Sequence, residues 1–289
     1  MMLGLRTEFV YLECRNCGSL RIAEVPSDLE RYYPVGAYYS FSDGFRWRVF
    51  ARRAALKTAA KSRWLLGILN RSFQIQAVLL MHSFGFEPSM EVLDVGSGSG
   101  SFIRDLRSAG YKYAMGVDRF IASDIKDSSG VLVRRGTLSE VDGSWDRIIL
   151  NHSLEHMPDH LGVLSELRAK LSPNGQLIIR IPLVSWAWQK YGTDWVQLDA
   201  PRHLCVHSER SFGLAARKAG LRIEAIRYDS WGYQFWGSEL YRRNIPLIDS
   251  GDRPDRYFTR KEMKEFHHQA AELNHKHLGD QAMFVLSAS

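Results

Sequence analysis

The chain has 289 residues, 45% hydrophobic and 24% charged, and a net charge of +6. That balance is the one expected of a soluble globular protein, long enough for one large domain or one domain with an accessory part. No apolar run approaches the ~18–20 residues that span a bilayer, and the first residues lack the basic-then-apolar pattern of a secretory signal. Three cysteines, two of them as Cys14-x-x-Cys17, argue against a disulfide framework and for a reducing, cytoplasmic setting. The mild positive charge permits an anionic partner and demands none.

Residues 1–41 form a short segment with Cys14 and Cys17 and a run of tyrosines: Tyr32, Tyr33, Tyr38 and Tyr39. Cys14-x-x-Cys17-Gly is half a zinc ribbon. Zinc wants four ligands and a second pair is absent, so two buried thiols in a turn are expected, and no metal. Residues 42–88 read as a basic helical cover. Arg46, Arg48, Arg52, Arg53, Lys57, Lys61, Arg63 and Arg71 have no acid among them. A solvated face is the ordinary reading of such a run, and contact of 46–71 with an anionic membrane surface is the functional one.

From 89 to 289 strands and helices alternate. Strands are expected at 91–95, 113–118, 131–135, 145–150, 176–182, 221–228 and 281–288. Helices are expected at 101–110 and 160–171, at 208–220 opening on Ser208, and onward from a capping box at Thr259-x-x-Glu262. The segments 186–207 and 229–258 fit neither period and are expected to be irregular, aromatic-rich lids. The alternation predicts an α/β, Rossmann-like fold: a seven-stranded, mostly parallel sheet with helices on both faces.

The first strand ends in Asp94-Val-Gly96-Ser97-Gly98-Ser-Gly100. Ligands of doubly wound sheets bind where such a strand-to-helix turn sits, and glycines let the backbone come close. A dinucleotide turn wants G-x-G-x-x-G. Here the spacing is G-x-G-x-G, with an acid two residues ahead. That acid suits a cationic ligand better than a pyrophosphate. Asp118 stands at the end of the next strand, where an acid accepts ribose hydroxyls.

These residues carry a resemblance. VLDVGSGSG, GVD, WDRIILNHSLEHMPD and LSPNGQLIIRIP are similar to the motifs of class I S-adenosylmethionine-dependent methyltransferases. The Cys-containing N-terminus, the Tyr-rich stretch and DAPRHLCVHSERSFGLAARKAGL resemble a bacterial subgroup found in polysaccharide and small-molecule biosynthesis. The resemblance implies S-adenosylmethionine as cofactor. It implies that Asp94 orders the methionine end, that Gly96, Ser97 and Gly98 pass close to methionine and ribose, and that Asp118 holds the ribose. Arg119 and Leu138 would flank adenine, with Thr137 or Glu140 offered to its amine, and Asn151 would lie near the methionine.

Methyl transfer needs alignment and exclusion of water, and for a hydroxyl acceptor a base. His156 and His203 are the candidate catalytic residues, with Arg202 as an anchor for an anionic group. His152, Glu155 and His156 have i, i+3, i+4 spacing, which on a helix would put them on one face. With histidine at 152 where a carboxylate would be wanted, no metal is expected and a hydrogen-bonding role is. The expected partner is a small-molecule acceptor, a sugar or nucleotide-sugar methylated on a hydroxyl or amine. Nucleic acid is not expected, for want of a binding motif, and the oligomeric state is not legible. An RNA methyltransferase, a non-catalytic cofactor-binding module and an NAD-dependent oxidoreductase are the rival readings.

Overall fold

The computed structural model describes residues 2–33, 84–250 and 253–289. The expected basic cover therefore lies outside the described residues except for its last five positions, as do Tyr38 and Tyr39. No helix among the described residues is long and apolar enough to cross a membrane.

The chain opens with a hairpin of β1 (Tyr11–Glu13) and β2 (Leu20–Ile22). Then follow β3 (Val92–Val95), α1 (Ser101–Ser108), β4 (Ala114–Asp118), β5 (Ile125–Asp127), β6 (Gly130–Arg135) and β7 (Trp145–Asn151). Next come α2 (His160–Ala169), β8 (Leu171–Pro182), α3 (Trp186–Tyr191), β9 (Cys205–Val206), α4 (Glu209–Lys218) and β10 (Leu221–Tyr228). The chain finishes with α5 (Tyr233–Arg242), α6 (Leu247–Ser250), α7 (Arg260–His275) and β11 (Gln281–Ala288).

The main sheet has the order β10-β11-β8-β7-β3-β4-β6-β5. The five strands from β8 to β6 run parallel, and β11 is antiparallel to both its neighbours. The sheet has eight strands where seven were expected. The added one, β5, is a three-residue antiparallel edge beside β6, too short to leave a period in the sequence. Register skips from Trp145↔Leu171 to Arg147↔Gln176, so the Ser172-Pro-Asn-Gly175 turn swells out of β8 without ending its pairing.

Both faces of the central strands are covered, so their sequences are apolar throughout. Leu93, Ile148, Leu150, Leu177 and Phe284 pack with Leu164 and Leu167 of α2 and Phe212 of α4. Their neighbours Val92, Ile149, Ile178 and Met283 pack on the other face with Ile103 and Leu106 of α1. Each such side chain contributes ~1.5–3 kcal/mol on burial. Ser208 and Thr259 close capping boxes at the starts of α4 and α7.

A second, three-stranded sheet has the order β1-β2-β9. The Cys14–Cys17 turn links its first two strands, with the Gly18 N–H donating to Cys14 O at 2.7 Å. Cys14 is exposed and Cys17 half-buried, so the expectation of two buried thiols was wrong: the turn stands at the rim, where only its following strand packs inward. Arg21 pairs with Cys205 across β2 and β9. The hairpin thus belongs to the scaffold of the 186–207 segment.

The described residues of the two lid segments are partly helical, against the expectation of irregular loops. Helix α5 buries Gln234, Phe235, Trp236, Gly237, Ser238, Leu240 and Tyr241. It opens on Gly232 with no side-chain cap and carries Gly237 in its middle, so the usual signals of a helix are missing from its sequence. The 186–207 segment is pinned from below by Asp280, whose Oδ2 accepts from Trp195 Nε1 and Gln197 Nε2, both at 2.9 Å.

Candidate functional site

β3 is flanked by β4 on one side and β7 on the other, so chain connections leave it in opposite directions. The crevice at its carboxyl end is the switch point where doubly wound sheets take ligands. A cavity of ≈ 470 Å³ lies there. Six of the eight residues expected to hold a cofactor line it: Gly96, Gly98, Asp118, Arg119, Leu138 and Asn151.

Gly96 has φ +80°, and a Cβ there would lie 2.5 Å from the Cβ of Ser153. Only glycine meets both demands. The Ser153 hydroxyl donates to Val95 O at 2.8 Å, so the turn after β3 and the segment after β7 close against each other. The Asp118 carboxylate organises the turn from the far side. Its Oδ2 accepts from the Gly98 N–H and its Oδ1 from the Phe120 N–H, both at 2.8 Å. A carboxylate has about four lone-pair sites, so one on each oxygen remains for a pair of ligand hydroxyls.

Asp94 and Ser97 are not among the lining residues. Asp94 is 5% exposed inside the sheet, level with Gly116 of β4. A Cβ at Gly116 would lie 2.5 Å from that of Ser97, so Ser97 occupies the space glycine leaves. Burial pushes the Asp94 carboxyl up to about 7, against the lowering pull of the Ser97 hydroxyl and with a further push from Asp118. Thr137 lines the cavity while Glu140 does not. Glu140 is spent on the capping box, accepting from the Thr137 N–H at 2.6 Å and its hydroxyl at 2.9 Å. Tyr33 and Phe120 complete the wall, their rings stacked at 5.0 Å. Neither was singled out as a site residue: an aromatic two positions past Asp118 carries a signal, a tyrosine at the end of an N-terminal hairpin carries none.

A second cavity of ≈ 410 Å³ adjoins the first. His152, His156 and Arg180 line both. Trp231, Tyr233 and Trp236 give the second chamber an aromatic wall, and Asp199, Arg202 and His203 a polar one. The sequence-expected His156 and His203 therefore meet, with ring centroids 4.8 Å apart. His152 and Glu155 do not share an α-helical face with His156: His152 has φ +53°, and the next residues form a single 3₁₀ turn, Leu154–His156.

His156 Nδ1 lies 2.9 Å from Arg202 O and His203 Nδ1 2.8 Å from Gln197 O. Carbonyls only accept, which places a proton on each Nδ1; in a neutral ring Nε2 is then the lone pair. Burial, then the charge of His203, holds His156 down at about 4 against the opposing pull of Glu155, so this ring is neutral at pH 7. Glu155 is 1% exposed, with His152 Nδ1 3.2 Å from its Oε1. Its burial would raise its pKa, but the hydrogen bond and charge of His152 and the charges of His203 and His156 bring it down to about 2. Arg202 pairs with Asp199, and Arg180 with Asp229 at 2.7 Å, so neither arginine is an idle cation awaiting an anion. Arg180, in the fifth expected strand, and Asp199 were legible as charges in apolar surroundings and were missed as site residues.

The loop bearing His203 is fixed from three directions. The Tyr11 hydroxyl donates to His203 O at 2.7 Å, the Ile22 N–H to Leu204 O at 3.0 Å, and the Leu204 N–H to Glu155 O at 2.8 Å. Behind it, His160 Nδ1 and His207 Nε2 form a separate pair at 2.8 Å, with Cys205 beside them.

The glycine bend, the free sites on Asp118 and the flat apolar surfaces of Leu138 and Phe120 fit an adenosyl group. The profile of a family described as a methyltransferase domain matches residues 71–226, more than half of the chain. No curated protein matches it. Among solved structures, a chain of the Haloferax volcanii Trm112 methyltransferase-activator complex is 17% identical, with 81% of this chain and 97% of that one covered and a TM-score of 0.49. Geranyl diphosphate C-methyltransferase from Streptomyces coelicolor A3(2) is 17% identical, with 76% and 78% covered and a TM-score of 0.49.

Proposed function

The chain belongs to the methyltransferase domain family and is an S-adenosylmethionine-dependent class I enzyme; from that premise we propose that it methylates a hydroxyl or amine of a small polar molecule, a sugar or nucleotide-sugar. In this reading it works in the cytoplasm, within the bacterial subgroup of polysaccharide and small-molecule biosynthesis. The observation that supports the reading is the common wall of the two chambers. One chamber has the fittings for an adenosyl donor, the other is large enough for a small acceptor, and they adjoin at His152, His156 and Arg180.

The donor supplies a methyl carbon already activated by a sulfonium. The protein's part is to hold, align and dry the reacting atoms. Asp118 would take the ribose hydroxyls, Gly96 and Gly98 leave the backbone open to the ligand with Ser97 turned away behind them, and Leu138 and Arg119 would flank the base. Asn151 stands at the methionine end. Asp94 acts from behind the bend, its charge balancing the ligand's ammonium through the thin glycine layer. In the second chamber Trp231, Tyr233 and Trp236 offer faces to the C–H side of a sugar ring. His156 and His203 line the acceptor chamber and assist loss of the acceptor's proton.

The test is calorimetry with S-adenosylhomocysteine and with NAD, followed by a screen for S-adenosylhomocysteine release across sugars and nucleotide-sugars. Micromolar binding of S-adenosylhomocysteine, and turnover that falls in His156→Ala and His203→Ala with cofactor affinity kept, supports the proposal. Binding of NAD alone overturns it. A salt-sensitive gel shift with RNA would move the acceptor to the RNA class.

A further inference from the structure

We infer that Glu155, His156 and His203 bind one divalent transition-metal ion at the floor of the second chamber, with Asp199 within reach. The site stands on its own geometry. Only its use, holding an acceptor oxygen, rests on the reading of the chambers given above.

One ligand atom from each of the three residues lies within 4.8 Å of the others. Bonds of ~2.0–2.2 Å put ligands about 3.4 Å apart in a tetrahedron and about 4.2 Å apart when trans in an octahedron. Closing the gap takes an ångström or so of side-chain movement. Both imidazoles are already set in the metal-binding tautomer. Each directs Nδ1 at a backbone carbonyl, Arg202 O or Gln197 O, as ligating histidines do.

The two carboxylates converge on His203 although each already has one donor, His152 Nδ1 on Glu155 Oε1 and Arg202 on Asp199 Oδ2. His203 Nε2 lies 4.0 Å from Glu155 Oε1 and 3.6 Å from Asp199 Oδ2. Glu155 Oε2 is buried and has no hydrogen-bond partner among the described residues. What those donors leave unmet is Oε2, and an ion bound among Glu155, His156 and His203 would give it a partner. Two nitrogens with carboxylate oxygens suit Zn²⁺, Mn²⁺ or Co²⁺, whereas Mg²⁺ and Ca²⁺ favour oxygen-only sets. The neighbouring cluster of His160, Cys205 and His207 makes the weaker case, since it holds no carboxylate and His160 Nδ1 and His207 Nε2 are already bonded to each other at 2.8 Å.

The full chain, stripped with a chelator, is titrated with Co²⁺ and Zn²⁺ by calorimetry, and the Co²⁺ form is read by visible absorption. One ion per chain is expected, with a nitrogen–oxygen spectrum free of a thiolate charge-transfer band. His203→Ala and Glu155→Gln should each weaken binding at least ~100-fold, beyond what outer residues of a metal site cost. Binding of S-adenosylhomocysteine reports that each variant is folded. The variants Cys14→Ser/Cys17→Ser and His160→Gln should bind the ion as the parent does. No ion bound to the parent chain overturns the inference, as does binding that survives His203→Ala and Glu155→Gln or vanishes in the cysteine pair or His160→Gln. An ion without S-adenosylhomocysteine binding leaves the site standing and removes the methyl-transfer reading; the reverse removes the site alone.

Discussion

Gly96→Ala tests the bend on which the first chamber depends. The substitution meets two separate obstacles. The left-handed backbone, φ +80°, costs a side chain ~1–2 kcal/mol. The new Cβ, 2.5 Å from Ser153 Cβ, adds an overpacking cost of ~1–3 kcal/mol. A central value of ~3 kcal/mol lowers the melting midpoint by roughly 6–12 °C in a chain of this size. Ser153→Gly separates the two terms. Alone it loses one hydrogen bond to Val95 O, ~1 kcal/mol. In its background the steric term disappears and the backbone term stays, so Gly96→Ala should cost ~1–3 kcal/mol less there. Urea unfolding of the four proteins gives the cycle, and S-adenosylhomocysteine titration follows affinity in parallel. Equal costs of Gly96→Ala in both backgrounds would refute the contact, and no cost in either would refute the bend.

Asp118→Asn should weaken S-adenosylhomocysteine by about 10–100-fold in calorimetry, since each charge-assisted hydrogen bond is worth ~1.5–3 kcal/mol; unchanged affinity would take Asp118 out of the site. Asp94 titrates at about 7 folded against 3.8 unfolded, so the folded chain keeps a proton the unfolded chain has lost. Stability should therefore fall as pH rises from ~4 to ~7, by up to roughly 4 kcal/mol from this group. Asp94→Asn lacks that slope and should gain on the parent by about 2 kcal/mol between pH 5 and pH 8; parallel urea-derived profiles would contradict the assignment. Cysteine labelling by iodoacetamide should follow pKa and exposure. Cys14 is exposed, its pKa lowered by hydrogen bonding to Cys17, and burial pushes the Cys205 thiol up to about 11. Peptide mass spectrometry should find Cys14 modified first and Cys205 last.

The sheet was legible because its strands are buried on both faces and separated by clear turn and cap signals; Ser208 and Thr259 marked helix starts directly. Asp118 and the glycine bend were legible because the strand-order rule says where to look. Asp94 was legible as an acid before the bend, though not that burial would set it behind the backbone. Of the second chamber only His156, Arg202 and His203 were legible. Its residues come from the N-terminus, β8, the 186–207 segment, α5 and β11, and no local period joins them. His203 reaches Glu155 only because β9 pairs with a hairpin some 180 residues earlier in the chain, a pairing two residues long. The helical spacing of His152, Glu155 and His156 was a false guide. A left-handed residue followed by one 3₁₀ turn brings them together instead.

The division of the chambers has an evolutionary consequence. Most of the first chamber's lining lies between β3 and Asn151, with the rest from Tyr33, Arg180 and the stretch from His152 to Glu166, while the second chamber draws on Met2 and Leu3 and the stretch from Arg180 to Gln281. Mutations can thus accumulate in the aromatic wall, trading one acceptor for another, with the reagent supply left intact. Only the three residues of the party wall, His152, His156 and Arg180, tie the two inheritances together, and they are where such drift must stop.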